Sequence, residues 1–137
     1  MLLPQTAEYA LRAMAYLALL PPDLPIRAKD LSQETGIPGQ YLSKILRRLV
    51  LAGLLRSQKG QGGGFKIARP PGNIRFMDVL AAIDCYPTEG RCVFGWGSCN
   101  ESSPCPLHDS WHEMSKGFRD WAENTTLDQI RGEVPSR

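Results

Sequence analysis

The stretch from Pro38 to Ala68 constrains the fold more than any other, because its hydrophobic period changes once and glycine marks the change. Leu42, Ile45, Leu46 and Leu49 recur at helical spacing after Pro38, a residue tolerated where a helix begins because its missing N–H would have no partner there. Gly53 closes that helix. Leu54 to Ser57 and Phe65 to Ala68 then have strand character, and QKGQGGG joins them as a flexible hairpin loop. Upstream, Ala28 to Thr35 reads as a short helix stopped by Gly36. The order is therefore helix, tight turn, helix and hairpin, which is a helix-turn-helix followed by a wing.

The faces left over carry the chemistry. With the Leu/Ile stripe turned inward, Gln40, Tyr41, Ser43, Lys44, Arg47 and Arg48 lie on the other faces of the second helix. Its polar residues, Gln40, Tyr41, Ser43 and Lys44, are placed to reach base edges in a major groove, and Arg47 and Arg48 to reach phosphate. On the hairpin, Arg56, Lys59, Gln61 and Lys66 supply the remaining contacts, with Lys59 and Gln61 at the tip directed to a minor groove or adjacent phosphates. Net charge is only +2, but residues 1 to 69 hold ten Lys and Arg against four acids. Between Leu42 and Arg69 there are seven basic residues and no acid, the footprint of a surface that meets a polyanion. GQGGG is not a nucleotide cradle, since no Lys-Ser/Thr follows at P-loop spacing and no G-x-G-x-x-G opens a helix.

Around this module the chain predicts three further helices. The first runs from Pro4 or Gln5 to Leu20, ends at Pro21-Pro22, and turns Ala7, Ala10, Leu11, Met14, Leu17 and Ala18 inward. Pro70-Pro71-Gly72 marks a break, after which Ile74, Val79, Leu80 and Ile83 line the inner side of a helix ending near Cys85. The last helix, from Leu107 to Asn124, is about 27 Å long at ~1.5 Å per residue. Leu107, Trp111, Met114, Phe118 and Trp121 on it recur with a period near 3.5 residues, the spacing of a helix-helix seam. Part of this stripe is expected against the first helix, and the rest in self-association. Residues 1–72 are thus expected to form the DNA-binding domain and residues 73–137 a loop and dimerisation region.

Between the last two helices lies RCVFGWGSCNESSPCPLHDSW. Cys92, Cys99, Cys105 and His108 fall within 17 residues as C-x6-C-x5-C-x2-H. Thiolate and imidazole suit zinc, copper or an iron-sulfur cluster, and the wide arc matches a cluster better than the close C-x2-4-C pairs that hold one zinc ion. Zinc, a disulfide and inert thiols are the alternatives. Cys85, outside the arc at a helix end, reads as a small buried apolar group. Glu8, in the first turn of the first helix, is accounted for by the helix dipole.

The bulk features exclude several classes. The N-terminal apolar run has no preceding Lys or Arg and is interrupted by Glu8 and Arg12, so neither a signal peptide nor a membrane span is expected and the cytoplasm is the default compartment. No nucleophile, base or carboxylate pair stands at catalytic spacing, which argues against an enzyme and against a small-molecule substrate. An electron carrier or cluster scaffold is the rival of another class. It would give the basic wing no purpose.

Taken together, TAEYALRAM, GIPGQYLSKILRRLVLAGLL, KGQGGGFKIARP, FMDVLAAID, the three-cysteine loop with CPLH, and NTTLDQI resemble the Rrf-two family of bacterial winged-helix repressors, in its iron-sulfur-binding branch of IscR-, NsrR- and RirA-like members. The resemblance covers almost the whole chain. It implies a mainly α fold with a small β-hairpin wing, a winged helix-turn-helix joined to a long C-terminal dimerisation helix. It further implies a homodimer on a palindromic double-stranded DNA operator and one iron-sulfur cluster per subunit, 2Fe-2S ahead of 4Fe-4S, with repression controlled by cluster or iron status, nitric oxide or redox state. Cys92, Cys99 and Cys105 carry over as thiolate ligands. His108 matches the histidine of IscR-like members, and Glu8 matches the position where an NsrR-like protein uses an aspartate from the partner subunit. His108 is the first choice for the fourth ligand and Glu8 the second. The first cysteine gap is one residue longer than in IscR-like loops, which leaves cluster type and fourth ligand open. A zinc- or thiol-based redox regulator of the same fold is the alternative.

Overall fold

Helix α1 (Gln5–Leu19) is the axis on which the other elements pack, and its inner face explains why. Ala7, Ala10 and Ala13 are buried beside Met14 and Leu17, so small side chains let neighbouring helices come close. Helices α2 (Ala28–Thr35), α3 (Gly39–Leu51) and α4 (Phe76–Ala82) all contact it. A short 3-10 turn at Pro71–Asn73 leads into α4, helix α5 spans His108–Asn124, and a second 3-10 turn, Leu127–Gln129, follows it. The computed structural model describes residues 3–85, 94, 102 and 105–130.

The predicted boundaries agree to within a residue or two, except that α4 ends at Ala82 and not near Cys85. α2 ends at Gly36, whose φ of 76° is the left-handed conformation that stops a helix without a Cβ clash. The stripe of α3 is buried as its spacing predicts, with Leu42, Ile45, Leu46 and Leu49 in the core. The wing is an antiparallel pair, β1 (Leu55–Gln58) with β2 (Gly64–Ile67), in register Leu55↔Ile67, Arg56↔Lys66, Ser57↔Phe65 and Gln58↔Gly64. Its loop, predicted to be flexible, holds a defined turn in which the Gly63 N–H donates to Gly60 O at 3.0 Å.

A third segment pins the wing to the body. Ile26, in the connection between α1 and α2, bridges Phe65, with Ile26 N–H donating to Phe65 O at 3.0 Å and Phe65 N–H donating to Ile26 O at 2.7 Å. Gly64 makes the approach feasible, because a Cβ at its φ of 145° would collide with the carbonyl of Ile26.

One core runs through the described residues. Ile74, Val79, Leu80 and Ile83 join it from the α4 region, as predicted, and Ala122 and Leu127 join it from the C-terminal side. The chain after α5 is sewn back beside α4: Phe76 N–H donates to Thr125 O at 2.8 Å and Leu127 N–H to Ile74 O at 3.0 Å, with Arg75 bridging Thr126. Among the described residues no helix is long and apolar enough to cross a membrane.

Candidate nucleic-acid interface and cysteine site

At 3.6 residues per turn, Gln40, Lys44 and Arg47 fall opposite the buried stripe of α3, and all three are exposed, with Ser43 exposed on one flank. The other flank, Tyr41 and Arg48, is exposed too but makes contacts within the chain. Tyr41 sets its ring 6.3 Å from that of Tyr9 on α1, and Tyr9 in turn lies under the Arg12 guanidinium at 5.4 Å. Arg48, expected at phosphate, turns toward α4 instead. Its Nη2 donates to Asp84 Oδ2 at 2.8 Å and its Nη1 to the carbonyl of Ile83 at 3.3 Å. The sequence did not show this pairing, because an acid 36 positions away in sequence is brought alongside only by the packing of α3 on α4.

Asp84 owes its place to an unusual helix end. Its N–H donates to Ala81 O at 3.2 Å and the Cys85 N–H to Leu80 O at 2.8 Å, the two bonds of a Schellman cap. The residue between them must be left-handed, and Asp84 has φ 57°, the one positive φ outside glycine among the described residues. Holding a side chain there costs roughly 1 kcal/mol relative to glycine. Cys85 follows, half-buried, with its Sγ 3.5 Å from Ile83 O. Burial pushes its thiol pKa up, the Arg48 charge offsets part of that, and Asp84 adds to it.

On the wing, the register sets Arg56 directly opposite Lys66. Like charges facing each other across strands repel, so an anion placed over the pair relieves a cost the hairpin carries alone. Lys59 and Gln61 are exposed at the tip. Among the described residues no ion pair engages Lys44, Arg47, Arg56, Lys59 or Lys66. The fold therefore presents a run of open cations from α3 to the wing, and one further exposed cation, Arg48, paired with Asp84.

The cysteine constellation meets the described structure at the head of α5. Cys105, a half-buried free thiol, accepts a backbone bond from His108 N–H to its carbonyl at 3.0 Å. His108 opens α5, and its ring stacks on that of His112, one turn on, at 5.9 Å. Cys92 and Cys99 lie outside the described residues, and among those that are described no three ligating side chains converge. Glu8 is half-buried in the first turn of α1, as expected. A partly accessible thiol with an imidazole one turn away fits the donor chemistry of a cluster ligand pair.

The stripe on α5 divides. Phe118 packs against the core, and Trp121 meets Phe76 of α4 edge to face at 5.2 Å, so this end of the stripe meets α4, where the sequence pointed to α1. Trp111 is half-buried. Leu107 and Met114 remain 46% and 59% exposed, and Trp121 is still 42% exposed. In all of α5 only Ala122 is fully buried.

Known proteins share this architecture. Residues 3–133 match the Rrf2 family, described as an iron-dependent transcriptional regulator. The chain belongs to the Rrf2 family. A helix-turn-helix transcriptional regulator of Mycobacterium tuberculosis H37Rv is 38% identical over 127 residues, covering 92% of this chain and 78% of that one. The regulator IscR of Vibrio campbellii is 32% identical over 130 residues, covering 95% and 77%. Among solved structures, T. potens IscR superposes with a TM-score of 0.76 at 23% identity, covering 95% of this chain and 85% of that one, a likeness of fold. Staphylococcus aureus CymR in its oxidized form superposes with a TM-score of 0.74 at 26% identity, covering 99% and 100%. As an Rrf2 member the chain is a DNA-binding transcriptional regulator with a winged helix, not an enzyme. The carrier or scaffold alternative has no counterpart in these relatives.

Proposed function

We propose that this Rrf2 regulator is a cytoplasmic homodimeric repressor whose affinity for a palindromic operator is set by an iron-sulfur cluster, one per subunit. The observation that carries the DNA half is the open cationic run: Lys44 and Arg47 on α3, then the opposed Arg56 and Lys66 and the tip residue Lys59 on the wing, with no acid in sequence between Leu42 and Arg69. Gln40, Tyr41 and Ser43 are the base-reading side chains of α3, and Gln61 accompanies Lys59. The dimer half rests on the uncovered residues of α5. Leu107, Met114 and Trp121 are large apolar groups left in water by one chain alone, with Trp111 and Phe118 beside them. A second copy of α5 would cover them.

For the sensor, Cys92, Cys99 and Cys105 are the proposed thiolates and His108 the fourth ligand, with Glu8 of the partner subunit as the alternative. A bound cluster, 2Fe-2S or 4Fe-4S, supplies redox and ligand-exchange chemistry at the head of α5. Cys105, three residues before α5, and His108, its first residue, would hold it at the start of the helix that also carries the apolar seam. Support comes from the donor set and from the IscR relatives. Anaerobic purification with a visible spectrum and iron and sulfide analysis tests this reading, followed by operator binding of the loaded and stripped protein. Brown protein with stoichiometric iron and sulfide sustains it.

The second reading is a zinc- or thiol-based redox regulator of the same fold. The half-buried thiols Cys85 and Cys105 and the likeness to a CymR solved in an oxidized form favour it. Colorless protein after attempted reconstitution, with operator binding that responds to peroxide and dithiothreitol, would put this reading in place of the first.

A further inference from the structure

The Arg48 fork grips two acceptors that belong to one backbone junction: the carbonyl of Ile83, which ends α4, and the carboxylate of Asp84, which occupies the left-handed residue of its cap. A planar guanidinium with two bonds fixes orientation as well as distance, which an ammonium on a flexible stem does not. The residue at Asp84 is the second telling feature. Glycine would make the same cap without strain, and the carboxylate toward Arg48 is what glycine cannot supply. The chain leaves this junction through Cys85 and reaches Cys92 seven positions later. Arg48 itself lies on the last turns of α3, one residue after Arg47 of the reading face.

We infer that Arg48 is a positioning residue: its bonds to Asp84 and Ile83 set the pose of α3 on α4 and tie the reading face to the point where the cysteine loop departs. The second half of this inference rests on the proposed cluster control, since it makes the tie the route by which the state of the loop reaches Gln40, Lys44 and Arg47. A change in the loop can move α3 only if the two states hold the Asp84 junction differently, and the fork transmits that difference because both acceptors move together. Arg48 then contributes nothing to phosphate neutralisation.

The test uses the full-length dimer, a duplex selected in vitro from a random pool by the wild-type protein, and a scrambled duplex of equal length. Binding is measured across a salt series for wild type, Arg48→Ala, Arg48→Lys and Asp84→Gly, each in loaded and stripped form. Asp84→Gly keeps the left-handed cap and relieves it, so the thermal midpoint should equal or exceed that of wild type. The expected result is that all three variants lose preference for the selected over the scrambled duplex, by about fivefold or more, at unchanged salt slope. Arg48→Lys should behave like Arg48→Ala, because the fork and not the charge is lost. The ratio of loaded to stripped affinity should fall to within about twofold of unity in each variant.

The inference is overturned if Asp84→Gly binds both duplexes as tightly as wild type or more so, and Arg48→Ala lowers the salt slope by about one while Arg48→Lys retains it, since that is the behaviour of a phosphate contact. Equal affinity of loaded and stripped wild-type protein would remove the cluster-control reading and the transmission half with it. The positioning half is still decided in that case by whether Asp84→Gly keeps or loses the preference between duplexes.

Discussion

Helices α3 and α5 are both amphipathic, and they differ in what completes them. The apolar stripe of α3 finds its cover within the chain, so that Leu42, Ile45, Leu46 and Leu49 are buried and its polar face is free to meet another molecule. In α5 a single alanine is buried, and large apolar side chains, Met114 and Trp121 with Leu107 at the N-cap, stay exposed among its polar ones. One helix spends its hydrophobic face on the fold and offers charge; the other offers hydrophobic surface. The contrast teaches that amphipathicity alone does not say which face is the working one. What decides is which face the rest of the chain has already covered.

Substitutions can break or sharpen that contrast. The largest effect is expected from Leu46→Ala, which removes a fully buried side chain from the stripe of α3 and should cost ~2–5 kcal/mol in denaturant unfolding, taking DNA binding with it. Met114→Glu on α5 should behave oppositely. It should leave the thermal midpoint of the winged head nearly unchanged and weaken dimerisation by an order of magnitude or more, about 1.4 kcal/mol at the least, as read by analytical ultracentrifugation. If Met114→Glu instead unfolds the head and leaves association intact, the roles assigned to the two helices are reversed.

A smaller effect is expected from Lys59→Ala. With no ion partner among the described residues, it should lower the salt slope of operator binding by about one and weaken all sequences alike. The smallest is at Cys85. Because burial raises its thiol pKa, less thiolate is present at any pH below that value, so iodoacetamide should label Cys85 more slowly than an unhindered thiol at pH 8. Arg48→Ala should slow it further, since the Arg48 charge favours the thiolate. Peptide mass mapping of a labelling time course reads both.

How much of this was legible in the sequence follows from the range of the interactions concerned. The limits of α2, the stripe of α3, the two wing strands and the inner side of α4 came from spacing and from Gly36, Gly53 and Pro38, all of them local signals. The direction of Arg48 did not. Nothing near it in sequence distinguishes it from Arg47, and only the packing of α3 on α4 brings Asp84 within reach. The strand-like bridge at Ile26 was equally hidden, because two residues of pairing have no period to detect, although Gly64 was a clue to close backbone approach. For the candidate site, residue types and spacing carried nearly everything said of the cysteines, and the fold adds that Cys105 and His108 stand at the head of the helix that offers the apolar seam. The left-handed Asp84 has no sequence signature at all, since its position relative to the helix end is known only once the end is seen.

The stitching of Thr125, Thr126 and Leu127 to α4 has a mechanical consequence. Together with Ala122 in the core and Trp121 on Phe76, it makes the Asn124 end of α5 a fulcrum. The arm beyond it is about 25 Å long at ~1.5 Å per residue, and it carries Cys105 and His108 at its tip. A tilt of a few degrees about that pivot, too small to disturb the packing at the fixed end, sweeps the tip through roughly an ångström or two. The protein thus carries Cys105 and His108, the proposed ligands, at the far end of an arm whose fixed end is built into the same core as α3.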